Sequence, residues 1–345
     1  MARQSFYRAH RPQTFADVVG QEQVTKPLAE QVKSGTPGHA YLFAGSRGLG
    51  KTSVARIFAR ELGSTAKDIY EIDAASNNTV EDIRQLTENV YTLPFESPYK
   101  VYILDEAHML SKSAWNAFLK TLEEPPSYAL FILATTELEK VPDTVQSRCQ
   151  VFTFKKPNRD GLSNMIASVA KKEGYSIENP ASDLIALLAE GSYRDALSIL
   201  ERVCAASPDK KITLAETEEN TGAPRRALVE SFVRALAHQD TGEALAVISS
   251  LSNENIEYSL YLSLVLEQVR TVLLVRHAPE LRKELEAELG TEAFAEVKTL
   301  AEEQGSHLTH ETLSVLLDAA SRMRFAPVPA LTLELAVYEL AEKAD

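Results

Sequence analysis

Cysteine is nearly absent from this chain of 345 residues, which holds two, Cys149 and Cys204. So distant a pair builds neither a disulfide framework nor a four-cysteine zinc site, and with no signal peptide in front the expected compartment is the reducing cytoplasm. Long apolar runs are missing as well. The most apolar stretch, Tyr258 to Val275, is interrupted by Glu267, Gln268 and Arg270, too short between charges for a membrane span, which predicts a packed helix and no membrane contact. Positive charge is in deficit: 36 Lys and Arg against 49 Asp and Glu leave −13, which excludes wholesale coating of a polyanion. No internal repeat or low-complexity segment occurs. What remains, 44% hydrophobic and 25% charged, is the composition of a soluble folded protein long enough for two or three domains.

The charge is unevenly spread. Residues 1–60 carry nine basic against three acidic side chains, whereas residues 212–345 carry eleven against twenty-three, so any phosphate contact belongs to the first half. From Ala40 to Phe154 short apolar runs alternate with amphipathic ones, the pattern of parallel βαβ units. Ala40–Ala44, Ile69–Asp73, Val101–Leu104, Leu130–Thr135 and Val151–Phe154 are the expected strands, with helices at Thr52–Leu62, Val80–Tyr91 and Ser113–Leu122, the last stopped by Pro125 and Pro126. After Lys155-Lys156-Pro157 no strand pattern is visible. Gly161–Gly174, Ala181–Glu190 and Arg194–Ala206 read as three short helices, and a polar stretch, Ser207 to Lys211, introduces a third segment that is helical throughout. There, Leu313, Leu316, Leu317, Ala320 and Met323 recur at helical spacing within Thr312–Phe325, and Asn255–Ala278 is apolar over most of its circumference, as a helix buried in its domain or against a partner would be. The expected division is an α/β P-loop domain with a parallel five-stranded sheet over residues 1–158, a three-helix domain over 159–207 and an all-α domain over 212–345.

Gly45-Ser46-Arg47-Gly48-Leu49-Gly50-Lys51-Thr52 follows the first strand and opens a helix, the context that marks a phosphate-binding P-loop. Glycines let successive amides turn toward the β- and γ-phosphates of ATP, the helix start adds partial positive charge, Lys51 adds a full one, and the Thr52 hydroxyl suits Mg²⁺. Val101 to Leu104 then leads into Asp105 and Glu106, a carboxylate to hold Mg²⁺ through its water shell and another to orient the attacking water. His108 stands nearby, but a lone histidine is ordinarily a packing or capping residue. Thr135-Thr136 ends the fourth strand where a hydroxyl, of Thr136 above all, would meet a γ-phosphate; threonine also simply suits a strand. Arg148, in Ser147-Arg148-Cys149 at the sheet rim, is placed to serve a neighbouring subunit as an arginine finger.

These motifs fall into a longer ordered series: Tyr7-Arg8, Arg11-Pro12, Phe15, Val18-Val19-Gly20-Gln21, the P-loop with Thr52-Ser53, Asp73-Ala74-Ala75-Ser76, Asp105 to Leu110, Lys120 to Pro126, and Ser147-Arg148-Cys149. The series resembles the gamma/tau family of bacterial DNA polymerase III clamp-loader ATPases, densely from about residue 5 to residue 205 and more weakly from there on. The resemblance implies an AAA+ ATPase that uses ATP and Mg²⁺ and has a RecA-like domain, a helical lid and a helical collar. Its partners would be the other subunits of a five-subunit ring, a sliding clamp and primer–template DNA. By motif match Tyr7, Arg8, Arg11, Pro12, Val18 and Val19 would serve the nucleotide pocket with residues Gly45 to Ser53, Arg148 would be the finger acting in trans, and Arg194 the lid arginine that senses the γ-phosphate. For Arg194 a helix-cap salt bridge to Asp195 or a nearby acid is the alternative.

Two departures stand out. The family's four-cysteine zinc insertion has no counterpart here, since Glu61 to Asp68 runs straight through without a cysteine. And Ser76-Asn77-Asn78-Thr79, where basic residues would meet DNA phosphates, offers two asparagines and, one turn on, Arg84. Backbone amides at that helix start can bind phosphate, or Thr79 and Asp82 can form a capping box. The competing functional readings are a non-hydrolysing delta-prime-like subunit, which would carry a broken P-loop, and a branch-migration factor. With two distant cysteines, and His307 and His310 the one close histidine pair, four tetrahedral ligands cannot be assembled. Elemental analysis of the chain purified without chelator is expected to find no stoichiometric zinc; one zinc per chain would contradict this.

Overall fold

The computed structural model describes residues 4–253, 256–289, 291–303, 305–323 and 325–342. Two compact units are present: one runs to Val169 and takes in Ile185–Glu201, and the other holds Ala170–Leu184 and the chain from Arg202 onward.

The first unit is built on five parallel strands, β1 (Ala40–Ala44), β2 (Ile69–Asp73), β3 (Lys100–Asp105), β4 (Ala129–Thr135) and β5 (Gln150–Thr153), in the order β2-β3-β4-β1-β5. The strands β1 and β4 are buried along their whole length, which is why they read as unbroken apolar runs. Their side chains still alternate between faces. Tyr41, Phe43, Val101, Ile103, Leu130 and Ile132 pack on one side with α1 (Glu22–Ser34) and α2 (Lys51–Glu61), through Val24, Leu28, Val54 and Phe58. Leu42, Tyr102, Leu104, Phe131 and Leu133 pack on the other with α3 (Val80–Val90) and α4 (Lys112–Glu123), through Ile83, Leu86, Trp115 and Phe118. The expected elements of this half are all present, with ends displaced by a residue or so.

The register places the functional ends together. Ala44 pairs with Thr135 and Asp73 with Asp105, so β1, β3 and β4 finish at one edge of the sheet. Because β1 lies between β4 and β5, the chain direction of the connections reverses beside it, and the carboxyl ends of strands at such a switch point are where open α/β sheets bind ligands.

The remainder is helical apart from one correction. Ser176–Ile177 and Lys211–Ile212 form a parallel two-residue pair in the second unit, too short for any alternation to announce it. Helices follow at Arg159–Lys172, Asn179–Leu188 and α5 (Tyr193–Ala206), then at Leu214–Thr221, Arg226–His238, Thr241–Asn253, Tyr258–His277, Arg282–Leu289, Thr291–Glu302, His310–Met323 and Pro329–Glu342. Helix Tyr258–His277 is long and apolar enough, by length and composition, to cross a bilayer, so its interrupting charges do not shorten it as expected. Burial identifies it instead as the core helix of its unit: Tyr261, Leu262, Val265, Val269, Val272 and Val275 are enclosed with Phe232, Leu316 and Leu333. Asn255, the expected start of this helix, and Arg324, in the expected Thr312–Phe325 helix, lie outside the described residues. Leu317, expected on the buried stripe, is 57% exposed, and with Leu331, Leu335 and Tyr338 it leaves apolar surface on the last two helices.

Between α3 and β3 the chain raises Leu93 and Phe95 into solvent, 77% and 73% exposed. Two buried charges hold this loop. Asp68 accepts from the amides of Phe95 (2.6 Å), Glu96 (3.0 Å) and Ser97 (2.9 Å), and Lys100 Nζ donates to Asn89 O (2.6 Å) and Thr92 Oγ1 (2.7 Å). Burial alone would raise the Asp68 pKa, but the Glu96, Phe95 and Ser97 donors override it and hold it at about 2. Asp68→Ala strands three amides and is expected to cost about 2–3 kcal/mol at neutral pH. The folded-state pKa lies below the unfolded value, so this contribution is complete above about pH 4 and is lost as pH falls toward 2. Urea unfolding should therefore show a smaller gap between parent and variant at pH 3 than at pH 5.

Candidate active site

The turn from β1 into α2 needs backbone that only glycine supplies without strain. Gly48 and Gly50 have φ of 77° and 91°, and a Cβ on Gly48 would lie 1.9 Å from Ser192 Oγ. The loop closes on its own lysine: Lys51 is buried, and its Nζ donates to Gly45 O (2.7 Å) and Ser46 O (2.9 Å). Burial lowers the Lys51 pKa, while Glu106 and Asp105 oppose that shift. Leu49 and Ser53 are buried beneath the loop and Arg47 is exposed on it. The first-turn amides of α2 have no intrahelical acceptor, so loop, lysine and helix start together make an arrangement that can hold phosphate.

Across the sheet edge Thr52 Oγ1 donates to Asp105 Oδ2 at 2.8 Å, and Asp105 Oδ1 accepts from the Glu106 amide at 3.1 Å. Hydroxyl and carboxylate are hard oxygen donors that fit Mg²⁺ completed by phosphate and water, a site type that needs no all-protein cage. Glu106 sits at φ 49°, a left-handed conformation costly for a side chain with a Cβ. Thr136 Oγ1 donates to its Oε2 at 3.2 Å. Behind them His108 is enclosed, its Nδ1 3.1 Å from Thr135 Oγ1 and its Nε2 3.3 Å from Glu137 Oε1.

The segment before α1 is strapped over this edge. Gln21, fully buried, donates from Nε2 to Lys155 O (2.7 Å) and accepts from Lys155 N (3.2 Å). From α5, Tyr193 donates its hydroxyl to Val19 O (2.8 Å) and its amide to Gly48 O (3.1 Å). Burial, with Glu22 adding to it, pushes the Tyr193 hydroxyl pKa up to about 12, so it remains a donor. Val18 is partly buried against the sheet and Val19 is 48% exposed, which leaves its side chain available to a flat apolar ligand. Arg194 stacks on Tyr7, its guanidinium carbon 4.8 Å from the ring centroid, while Ser192 Oγ accepts from the Asp195 amide; Arg8 lies over the same ring at 5.6 Å.

This geometry has known relatives. Residues 64–158 match the family described as DNA polymerase III, delta subunit, residues 161–208 the DNA polymerase III clamp loader subunit, ATPase lid domain, and residues 212–345 domain III of DNA polymerase III subunits gamma and tau. The tau subunit of Bacillus subtilis is 35% identical over 99% of this chain and 64% of its own length. That of Escherichia coli K12 is 38% identical over 81% of this chain and 46% of its own length. DNA polymerase III subunit gamma of Buchnera aphidicola is 31% identical, with 96% of each chain covered. The chain belongs to the DNA polymerase III gamma/tau family. It spans 64% of the Bacillus relative and less than half of the Escherichia one. Among solved structures, the Thermotoga maritima RuvB Holliday junction branch migration motor aligns with a TM-score of 0.54 at 21% identity, over 72% of this chain and 86% of that one. At that identity the likeness is one of AAA+ fold alone.

Within the gamma/tau frame, the structure brings Gly45 to Ser53, Asp105, Glu106 and Thr136 together, and sets Arg194 against Tyr7. It does not bring Arg148 there: its guanidinium donates to Glu123 Oε1 (2.5 Å) and Thr144 O (2.6 Å) at the end of α4. Arg11 offers its carbonyl to Gln13 Nε2 at 2.8 Å, and Pro12 is half-buried beside it. The capping box at α3 is formed: Thr79 Oγ1 accepts from the Asp82 amide (3.2 Å) and donates to its carboxylate (2.6 Å). Asn77 Nδ2 is committed to Asp73 O (2.9 Å), Asn78 O accepts from Ser111 N (3.1 Å), and exposed Arg84 lies 3.6 Å from Glu81. Gln21, at the end of the motif Val18 to Gln21, and Tyr193, next to Arg194, have roles that their sequence context does not announce. Gln21→Ala removes both partners of the Lys155 peptide groups. It is expected to cost about 2–3 kcal/mol in thermal unfolding and to weaken nucleotide binding severalfold by equilibrium titration.

Proposed function

We propose that the chain is an ATP-hydrolysing clamp-loader subunit of the replicative DNA polymerase, in which ATP binding and turnover drive loading of a sliding clamp onto primer–template DNA. The observation that carries this reading is the complete hydrolytic set: Lys51 in its loop, Thr52 bonded to Asp105, and Glu106 held by Thr136. A non-hydrolysing delta-prime-like subunit has no use for such a set. A branch-migration factor is favoured by the fold of RuvB alone, whereas the curated relatives are DNA polymerase III subunits.

In this reading the Lys51 ammonium and the α2 amides neutralise and orient the β- and γ-phosphates, and Thr52 with Asp105 holds Mg²⁺. The metal, when bound, withdraws charge from the leaving phosphate oxygens. Glu106 orients and polarises the attacking water, and Thr136 fixes the Glu106 carboxylate against the γ-phosphate position. Arg194 leaves the Tyr7 ring to meet the γ-phosphate, and Val18 and Val19, with Tyr7, Arg8, Arg11 and Pro12, border the adenine. Arg148, bonded outside its own site, serves a neighbouring subunit of the five-subunit ring. Residues 1–158 form the ATPase domain, 159–207 the lid and 212–345 the collar. The exposed Leu317, Leu331, Leu335 and Tyr338 support collar assembly. DNA phosphates are met weakly, by the first-turn amides of α3, with Asn77, Asn78, Thr79 and Arg84 around them. The protein works in the cytoplasm.

ATP binding and turnover, with and without clamp and primed DNA, test this. Lys51→Ala is expected to lose binding, and Glu106→Gln to keep binding while turnover falls at least about 100-fold. Arg148→Ala should bind normally yet fail to stimulate a neighbour in mixtures with Lys51→Ala. Parent-like turnover in Glu106→Gln would overturn the assignment of that residue.

A further inference from the structure

The histidine that sequence reasoning set aside as packing is surrounded by polar groups. The His108 side chain is 6% exposed, yet its Nδ1 lies 3.1 Å from Thr135 Oγ1 and 3.6 Å from Glu106 Oε2, and its Nε2 lies 3.3 Å from Glu137 Oε1. Thr135 spends its own proton on Glu137 O (3.1 Å) and accepts from the Glu137 amide (3.0 Å), so toward the imidazole it is an acceptor, and Nδ1 is the donor. That proton is bonded to the Thr135 hydroxyl, and the Glu106 carboxylate, 3.6 Å from Nδ1, lies within electrostatic range of it. Glu137 is anchored in turn by Lys140 Nζ at 2.7 Å.

Glu106 needs such an anchor. Its backbone is held at φ 49°, and a strained conformation of this kind persists only where neighbouring groups over-determine it. One hydrogen bond to the carboxylate, from Thr136 at 3.2 Å, leaves a flexible side chain free to turn about it. The enclosed His108 ring, whose Nδ1 lies 3.6 Å from the same Oε2, adds a second polar neighbour and narrows that freedom.

We propose that His108 is a positioning residue for ATP hydrolysis: through its bond to Thr135, itself bonded to the Glu137 backbone, it ties the surroundings of the Glu106 carboxylate to the loop that follows β4, so that Glu106 and Thr136 are presented to the γ-phosphate as one unit. This rests on the reading of Glu106 as the residue that orients the attacking water. An apolar side chain of similar size would fill the same space and hold the fold, but would leave the carboxylate on its single bond.

The test compares parent, His108→Leu, His108→Asn, His108→Gln and Glu106→Gln in the full chain, reading kcat and KM for ATP, nucleotide Kd by equilibrium titration, and Tm. Asparagine places an amide N–H near the position of Nδ1, whereas glutamine reaches that of Nε2. His108→Leu is expected to lower kcat about 10- to 100-fold, the effect of misplacing a reacting group by about an ångström, with KM and Kd within about twofold of the parent. His108→Asn should recover most of kcat and His108→Gln should not. In the Glu106→Gln background His108→Leu should add little further loss, since it acts through the missing carboxylate. Parent-like kcat in His108→Leu, a loss of Kd in step with kcat, or an asparagine variant no better than glutamine would each overturn the proposal. Should His108→Leu fail to fold, the contrast between asparagine and glutamine decides alone. A parent without turnover, or an active Glu106→Gln, overturns the underlying reading and this inference with it. Only the His108 outcomes overturn the inference by itself.

Discussion

The site depends on one constraint, the parallel register of β1 with β4 and of β3 with β4. Backbone pairing of Ala44 with Thr135 and of Leu104 with Leu133 brings the ends of three strands to one edge, and each end carries a group with a separate task. A slip of one residue would turn every side chain of a strand to the opposite face. Here both faces are buried under helices, so a slip would exchange Tyr102 and Phe131, packed against Phe118, for side chains sized to the other layer. Packing on the two faces is therefore what holds Thr52 within 2.8 Å of Asp105.

Around that edge the structure supports its polar groups in pairs. Lys51 has two carbonyls, Asp105 has the Thr52 hydroxyl and an amide, and Glu106 has Thr136 with His108 behind it. In a site of low dielectric each unmatched polar group would be expensive, and each matched one is stiff. The same economy governs the straps. Gln21 satisfies both peptide groups of Lys155, and Tyr193 satisfies one carbonyl of the segment before α1 and one of the P-loop. These bonds tie α5, the helix that carries Arg194, to the P-loop and to the segment before α1.

The apolar surface left outside these networks is of two kinds. Leu93 and Phe95 are raised on a loop whose amides are tied to buried Asp68 and whose flank is tied to Lys100, so the exposed pair stands on a stiff base. Leu317, Leu331, Leu335 and Tyr338 lie on helices whose other faces enclose Leu316 and Leu333, which makes them the outer layer of a packed bundle. In both places the buried side explains why the exposed side can remain ordered.

The strands, the helices of the first unit and the glycine loop before α2 were legible in the chain because their signals are local. Strand runs such as Ala40–Ala44 read as unbroken apolar segments, and the glycine spacing from Gly45 to Gly50 dictates its own backbone. Local too was the capping box of Thr79 and Asp82, three residues apart. Contacts across long sequence distances were not legible. Nothing near Gln21 says that its amide meets Lys155, nothing near Arg194 says that it stacks on Tyr7, and the two-residue pair of Ser176–Ile177 with Lys211–Ile212 is too short to carry a period. His108 shows the division most clearly. As a residue it was ambiguous between packing and chemistry, because an imidazole serves either; the convergence of Glu106, Thr135 and Glu137 on its two nitrogens is a property of the folded strand ends alone. By itself, then, the sequence determined which chemical groups this protein has and the local turns that present them. Only the tertiary structure decided which of those groups meet, since that depends on register and packing between segments far apart in the chain.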